Sequence, residues 1–171
     1  MTMKDIKIKK IVISSMMAAV ITVATMIVRI PSPTGYVNLG DCFVLVAAWS
    51  LGPVYGVLAA AIGSALADLL AGYALYIIPT FVIKGLMALI AWALFKAMRK
   101  VIHKHELFPR MISAVVAELF MAAGYLTFEI FAYDATAAIQ SVPGNLVQGL
   151  VGAVASILLI TAAKRYKLLK F

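Results

Sequence analysis

Thiols and acids are what this sequence has least of. It holds one cysteine, Cys42, which excludes a disulfide framework and a multi-thiolate metal centre. Charged residues occupy 13% of its 171 positions, and only 7 residues are Asp or Glu. Soluble domains carry about 25% charge, so an ordinary soluble enzyme, a disordered chain and a fibrous protein are all excluded. The two histidines, His103 and His105, sit among basic residues and far from Cys42; they extend a basic loop rather than complete a metal site. There is no G-x-x-x-x-G-K-[ST] phosphate loop, so the chain does not hydrolyse ATP by that route. No Ser–His arrangement supports nucleophilic catalysis. The residues call for no enzyme chemistry, no cofactor and no metal.

What is abundant is apolar. Hydrophobic residues make up 64% of the chain and the mean hydropathy is +1.04. Uncharged runs near the roughly 20 residues that cross a bilayer recur along it. The leading run is too long and too late for a cleavable signal peptide. The net charge of +8 would suggest nucleic acid on a soluble chain, but its placement points elsewhere, to no nucleic acid and to a membrane. All of the 15 cations except Arg29 and Lys84 fall in three clusters: Lys4 to Lys10, Lys96 to Arg110, and Lys164 to Lys170. Such clusters mark cytoplasmic segments, so an even number of spans separates each pair.

Span length then predicts an all-α membrane protein with six transmembrane helices and both termini cytoplasmic, folded as one six-helix domain over residues 1–171. The spans are Ile11–Val28, Tyr36–Leu51, Val54–Leu70, Ile77–Phe95, Met111–Phe131 and Val142–Ala163. Gly52-Pro53 makes the inner turn between the second and third, although only parity distinguishes them from one long helix.

Small residues recur at helical spacing. Ser15 and Ala19 form an S-x-x-x-A pair, with Ser14 and Ala18 one step behind. Gly52, Gly56, Ala60, Ser64 and Asp68 form a continuous stripe on the third span. Such stripes let helices approach closely in lipid. The stripe that ends on an acid faces the interior; the first-span pair is free to face a partner.

Ionisable groups within spans are functional candidates by default. At 1.5 Å per residue, Lys84 lies roughly 18 Å from Lys96 and Glu118 roughly 12 Å above Arg110. Glu129 lies roughly 28 Å above Arg110 by the same rise. Glu118, Ala122, Tyr125 and Glu129 share one face; Ser141, Asn145, Gln148 and Gly152 share another; Thr80, Lys84 and Ala88 a third. Three polar stripes therefore meet at one outward-facing level, in a pocket between the fourth to sixth spans under the loops Ile30–Gly40 and Ala71–Tyr76. Lys84 is placed to neutralise Asp68, Glu118 or Glu129. Asp41 and Asp68 read as structural groups at helix ends. With Tyr36, Tyr73, Tyr76, Tyr125 and Phe128 nearby, the pocket suits a small polar heteroaromatic molecule. The nearly charge-free inner half argues against an ion pathway.

In order along the chain, the S-x-x-x-A of Ser15–Ala19, R-I-P-S-P-T-G-Y-V-N-L-G-D (Arg29–Asp41), S-L-G-P-V-Y-G (Ser50–Gly56), I-G-S-A-L-A-D-L-L-A-G (Ile62–Gly72), P-T-F-V-I-K-G (Pro79–Gly85) and P-G-N-L-V-Q-G (Pro143–Gly149) resemble the S component of energy-coupling factor (ECF) vitamin transporters. The nearest branch is that for riboflavin-like, pyridoxine and hydroxymethylpyrimidine substrates. The resemblance implies a substrate-binding subunit of an ABC-type importer in a prokaryotic plasma membrane. It implies docking through Ser15, Ala18 and Ala19 onto a membrane coupling protein that carries two cytoplasmic ATPases, and toppling in the lipid to release substrate inward. Ser15 stands where the family usually has alanine. On this reading Lys84, Glu118, Tyr125, Glu129, Asn145 and Gln148 bind the vitamin, with pyridoxine first and hydroxymethylpyrimidine next. The competing readings are a solitary transporter driven by protons through Glu118, a membrane-embedded enzyme and a structural subunit.

Overall fold

A computed structural model describes residues 3–31, 36–102 and 106–165. Residues 32–35, His103, Lys104 and His105, and the C-terminal Lys167 and Lys170 lie outside the described residues. The described chain is almost wholly helical: α1 (Met3–Ile27), α2 (Gly40–Ala71), a 3-10 turn (Ala74–Tyr76), α3 (Ile77–Arg99), α4 (Leu107–Ala132) and α5 (Ala135–Arg165). Between α1 and α2, β1 (Ile30–Pro31) and β2 (Tyr36–Val37) pair antiparallel, Ile30 opposite Val37 and Pro31 opposite Tyr36. Helix is the answer that hydrocarbon imposes, because it satisfies every backbone donor and acceptor within the segment.

Five of these helices are long and apolar enough to cross a membrane, where the sequence predicts six spans. The difference lies in α2, which runs over both the second and third expected spans. It is not straight. Gly52 has φ 80° and ψ −170°, a backbone that L side chains rarely adopt, and Pro53 follows it without a backbone donor. A Cβ on Gly56 would lie 2.5 Å from the Ala47 carbonyl oxygen. In a continuous helix positions nine apart are about 13.5 Å distant along the axis, so the chain reverses at Gly52 and its two halves pack on each other. The second half ends at Gly72, φ 83°, whose N–H caps the carbonyls of Asp68 and Leu69.

Two helix starts differ from expectation. The last helix begins at Ala135 rather than Val142, because the Asp134 carboxylate accepts the Ala137 N–H at 2.9 Å and caps it. Pro143, read from the sequence as helix-opening, sits inside α5. α1 begins before Ile11 because its lysines are good helix formers.

α2 packs against α1, α3 and α5, and α3 and α4 close the ring to α5. The interior is rich in alanine: Ala47, Ala48, Ala60, Ala88, Ala91, Ala114 and Ala117 are fully buried. Such small side chains let helices approach closely. On α1, the two interleaved pairs divide. Ser14 and Ala18 are buried against α2, with Ser14 Oγ donating to the Tyr55 carbonyl at 2.8 Å and Ala18 beside Gly63. Ser15 and Ala19 are exposed.

Lys10, Arg99, Arg110 and Lys164 gather at one end. Lys10 lies 5.9 Å from the Tyr55 ring centre. Glu106 binds Arg99 at 3.2 Å, Arg110 at 2.7 Å and also Lys164. Burial pushes the Glu106 carboxyl up, but Lys164, Arg110 and Arg99 together outweigh it and hold it below the ordinary carboxylate range.

Candidate functional site

The opposite end carries a polar cleft framed by the β2 segment, the end of α2, the start of α3, the second half of α4 and the first half of α5. Tyrosines dominate its walls: Tyr36, Tyr73, Tyr76 and Tyr125 all line it. Tyr36 and Tyr73 stand 4.9 Å apart between ring centres, and Tyr76 meets Phe128 edge-on at 5.2 Å. Tyrosine supplies a flat apolar face with a hydroxyl at its rim, and those of Tyr36, Tyr76 and Tyr125 are hydrogen-bonded. Tyr36 donates to Asp68 Oδ1 at 2.8 Å. Burial, and then the neighbouring Asp68, push the Tyr36 phenol well up, so it remains a donor. Tyr76 donates to Glu129 Oε1 at 3.1 Å, and Ser141 donates to Glu129 Oε2. Thr80 and Tyr125 share a hydrogen bond of 3.0 Å.

Beneath the cleft lies a charged layer centred on Asp41, which is fully buried. One Asp41 oxygen takes Lys84 Nζ in an ion pair; the other accepts Gln148 Nε2 at 2.6 Å. Gln148 Oε1 in turn accepts the backbone N–H of Asn38 at 2.9 Å and its side-chain amide at 3.2 Å. The segment entering α2 is thereby latched to α5 across the mouth of the site. Lys84 Nζ also lies 5.5 Å from the Tyr125 ring centre, within cation–π range.

Glycines in α5 make room for this layer. A Cβ at Gly152 would meet Asp41 Cβ and Glu118 Oε1, both at 2.8 Å, and one at Gly149 would lie 3.0 Å from Glu118 Cβ. Any larger residue would drive α5 away from α4 and α2. Glu118 is buried, and neither of its oxygens is hydrogen-bonded among the described residues. At the cleft itself two more groups lack a partner among the described residues: Asn145 Nδ2, a donor, and Asp68 Oδ2, an acceptor.

Of the residues singled out from the sequence, Tyr125, Glu129, Asn145 and Gln148 line the cleft. Lys84 and Glu118 do not line it; they lie in the layer below, brought together around Asp41. The partner of Lys84 is Asp41, not Asp68, Glu118 or Glu129 as expected. Asp41 and Asp68 are more than helix-end groups, since Asp41 organises the buried layer and Asp68 reaches the cleft. Asn38 and Asp41 are the residues that helical spacing missed. They sit where a loop becomes a helix, and no periodic stripe runs through them; the only sequence signal is the N-L-G-D run itself.

The cavity is small, about 40 Å³, where one water needs roughly 10–15 Å³ by the same measure. Admitting an aromatic ring therefore requires the Asn38–Gln148 latch or the tyrosines to move.

A family model described as "ECF-type riboflavin transporter, S component" matches residues 5–165. The chain is 33% identical over 135 residues to a protein of Pyrococcus woesei described as "Uncharacterized protein in gap 3'region", covering 77% of this chain and 86% of that one. It is similar in fold to a solved structure described as "Structure and mechanism of the S component of a bacterial ECF transporter", with a TM-score of 0.71 and 22% identity, over 94% of this chain and 98% of that one.

Proposed function

The chain belongs to the family of ECF-type riboflavin transporter S components, and on that premise we propose that it captures a flat heteroaromatic vitamin in the tyrosine-lined cleft for import. One observation supports this reading above the others: a donor, Asn145 Nδ2, and an acceptor, Asp68 Oδ2, both without a partner among the described residues, border the same aromatic-walled cleft. Buried polar groups find partners, and a ring that carries both an acceptor and a donor at its edge supplies both. Riboflavin is the first candidate, from the family's description. A single-ring substrate, pyridoxine or hydroxymethylpyrimidine, is the second, and the small cavity favours it.

The topology proposed is six crossings, with α2 counted as two at the Gly52 reversal. The gathering of Lys10, Arg99, Arg110 and Lys164 at one end agrees with both termini lying on the cytoplasmic side. Uptake then needs a coupling protein with its ATPases. We assign their docking to the apolar groove between α1 and the second half of α2, where Ser15, Ala18 and Ala19 lie beside Leu58 and Ile62. Ser15 Oγ already bonds the Ile11 carbonyl at 3.0 Å, so the groove presents no unpaired hydroxyl there. Ala18 contributes mainly to the α1–α2 contact, leaving Ser15 and Ala19 to meet the partner.

The deciding experiment is thermal stabilisation of the purified chain by riboflavin, pyridoxine and hydroxymethylpyrimidine, since a ligand that binds only the native state raises its apparent stability. A saturable shift with one of them, lost in Asn145→Ala, is the expected result. No shift with any of the three overturns the reading.

A further inference from the structure

The end opposite the tyrosine cleft holds a second, larger cavity of about 510 Å³, between the Gly52 reversal, the end of α3, the start of α4 and the end of α5. Its wall carries Lys96, Arg99, Lys100, Arg110 and Lys164 against one carboxylate, Glu106. Clustered cations at a membrane face are ordinary; a cavity with a buried arginine at its base is not. The Arg110 side chain is 7% exposed and holds Glu106 at 2.7 Å. Its guanidinium lies 4.9 Å from the Phe95 ring centre and 5.5 Å from that of Trp49. Trp49 is itself pinned by its Nε1 donating to Ser113 at 3.2 Å. The guanidinium plane is therefore fixed before any ligand arrives.

Two donors of this cavity have no acceptor among the described residues, Arg110 Nε and Ser50 Oγ, and both atoms are buried. Glu106 meets only part of the positive charge that converges here. A fixed guanidinium, a second one beside it, a hydroxyl and flanking ammonium groups are a donor set that recognises phosphate. We propose that this cavity binds the phosphate group of an anionic ligand. Arg99, Arg110 and Ser50 meet its oxygens, and Lys96 and Lys100 supply the surrounding charge. The apolar base formed by Trp49, Phe95 and Ile160 accommodates a ligand with a hydrocarbon or aromatic portion. An anionic lipid headgroup and a soluble phosphate ester both carry this chemistry.

The test uses the full chain purified in a neutral detergent, with its melting temperature followed in two arms. In one, phosphatidylglycerol is titrated into the micelles against phosphatidylcholine. In the other, sodium pyrophosphate is titrated against sodium chloride at equal ionic strength. A saturable rise is expected in at least one arm: lipid alone identifies a headgroup site, pyrophosphate alone a soluble-ester site, and both the phosphate itself. Lys96→Gln with Lys100→Gln is expected to raise the half-saturating concentration at least tenfold. Lys7→Gln with Lys9→Gln, which removes the same charge from α1, is expected to leave it unchanged. Ser50→Ala, the smallest change in the wall, is expected to weaken the ligand severalfold and keeps the test open should the double variant not fold. No saturable rise in either arm, or equal weakening by the two lysine pairs, overturns the proposal.

Discussion

Gln148 on α5 and Asp41 at the start of α2, 107 positions apart, are joined by a buried 2.6 Å hydrogen bond beneath the cleft. The same Gln148 side chain accepts from Asn38 through its other end. One amide thus connects the buried Lys84–Asp41 pair to the segment that closes the cleft, so whatever opens the cleft also disturbs the charge layer beneath it.

Gln148→Ala removes both ends of that bridge. It leaves an Asp41 oxygen and the Asn38 donors unpaired, and each orphaned buried group costs about 1–3 kcal/mol. The variant is expected to melt at a lower temperature and to bind the vitamin at least tenfold more weakly, read by thermal unfolding and by calorimetric titration. Unchanged values in both would show that the bridge does not couple the segment closing the cleft to the charge layer.

Lys84 and Asp41 should behave as a pair. Removing one partner of a buried ion pair leaves the other uncompensated and costs about 3–5 kcal/mol. Lys84→Met alone and Asp41→Leu alone are each expected to be severely destabilised. The double variant is expected to recover much of that loss, because two apolar side chains need no partners. A double variant as unstable as the sum of the singles would contradict the pairing.

The two faces of α1 predict separable defects. Ala19→Trp fills the exposed groove, so vitamin binding by the purified chain is retained while ATP-dependent uptake by the reconstituted complex is lost. Gly63→Val does the reverse kind of damage: even a Cβ there would lie 2.5 Å from the Ala18 carbonyl oxygen, forcing α1 off α2 and lowering stability. Normal uptake by Ala19→Trp would remove the docking assignment, and uptake without any ATPase would favour a solitary transporter.

Crossing number can be counted by labelling. With Cys42 replaced by alanine, the single variants Ile30→Cys, Tyr73→Cys, Lys100→Cys and Tyr133→Cys are exposed in turn to a membrane-impermeant maleimide on intact cells. Six crossings place positions 30, 73 and 133 outside and 100 inside, because α2 then crosses twice between Ile30 and Tyr73. Labelling of only one of Ile30→Cys and Tyr73→Cys, or labelling of Lys100→Cys from outside, would break that parity.

Acid should loosen the basic end. The Glu106 carboxyl is held below its ordinary value, so its contribution to stability is complete above the unfolded value of about 4.3. It is lost as pH falls through the lower folded value. The melting temperature is expected to fall on acidification below about pH 4.3. Glu106→Gln is expected to melt lower at pH 7 and to show a flatter acid limb. An identical acid limb in the variant would mean that other carboxylates carry it.

Composition and spacing alone made the helical membrane character legible, because hydrocarbon leaves a chain this apolar little choice of secondary structure. Spacing also placed Tyr125, Glu129, Asn145 and Gln148 on facing stripes, since helical periodicity is a local property and each of these residues lies well inside a helix. The Gly52-Pro53 signal marked the reversal in α2, because backbone conformation at glycine and proline is written in the residues themselves. Three things were decided only in three dimensions. Lys84 took Asp41 as its partner because the small residues of α2 and the glycines of α5 bring those backbones together, which no depth estimate along separate helices reveals. Asn38 and Asp41 entered the site from a loop-to-helix junction, where periodicity carries no information. The stack of Trp49, Arg110 and Phe95 forms from three helices, beside the Gly52 reversal of α2, the end of α3 and the start of α4, and makes the basic end a cavity, whereas the sequence shows there only clusters of cations. Local physics sets the elements; which side chains share a burial site depends on contacts between distant segments.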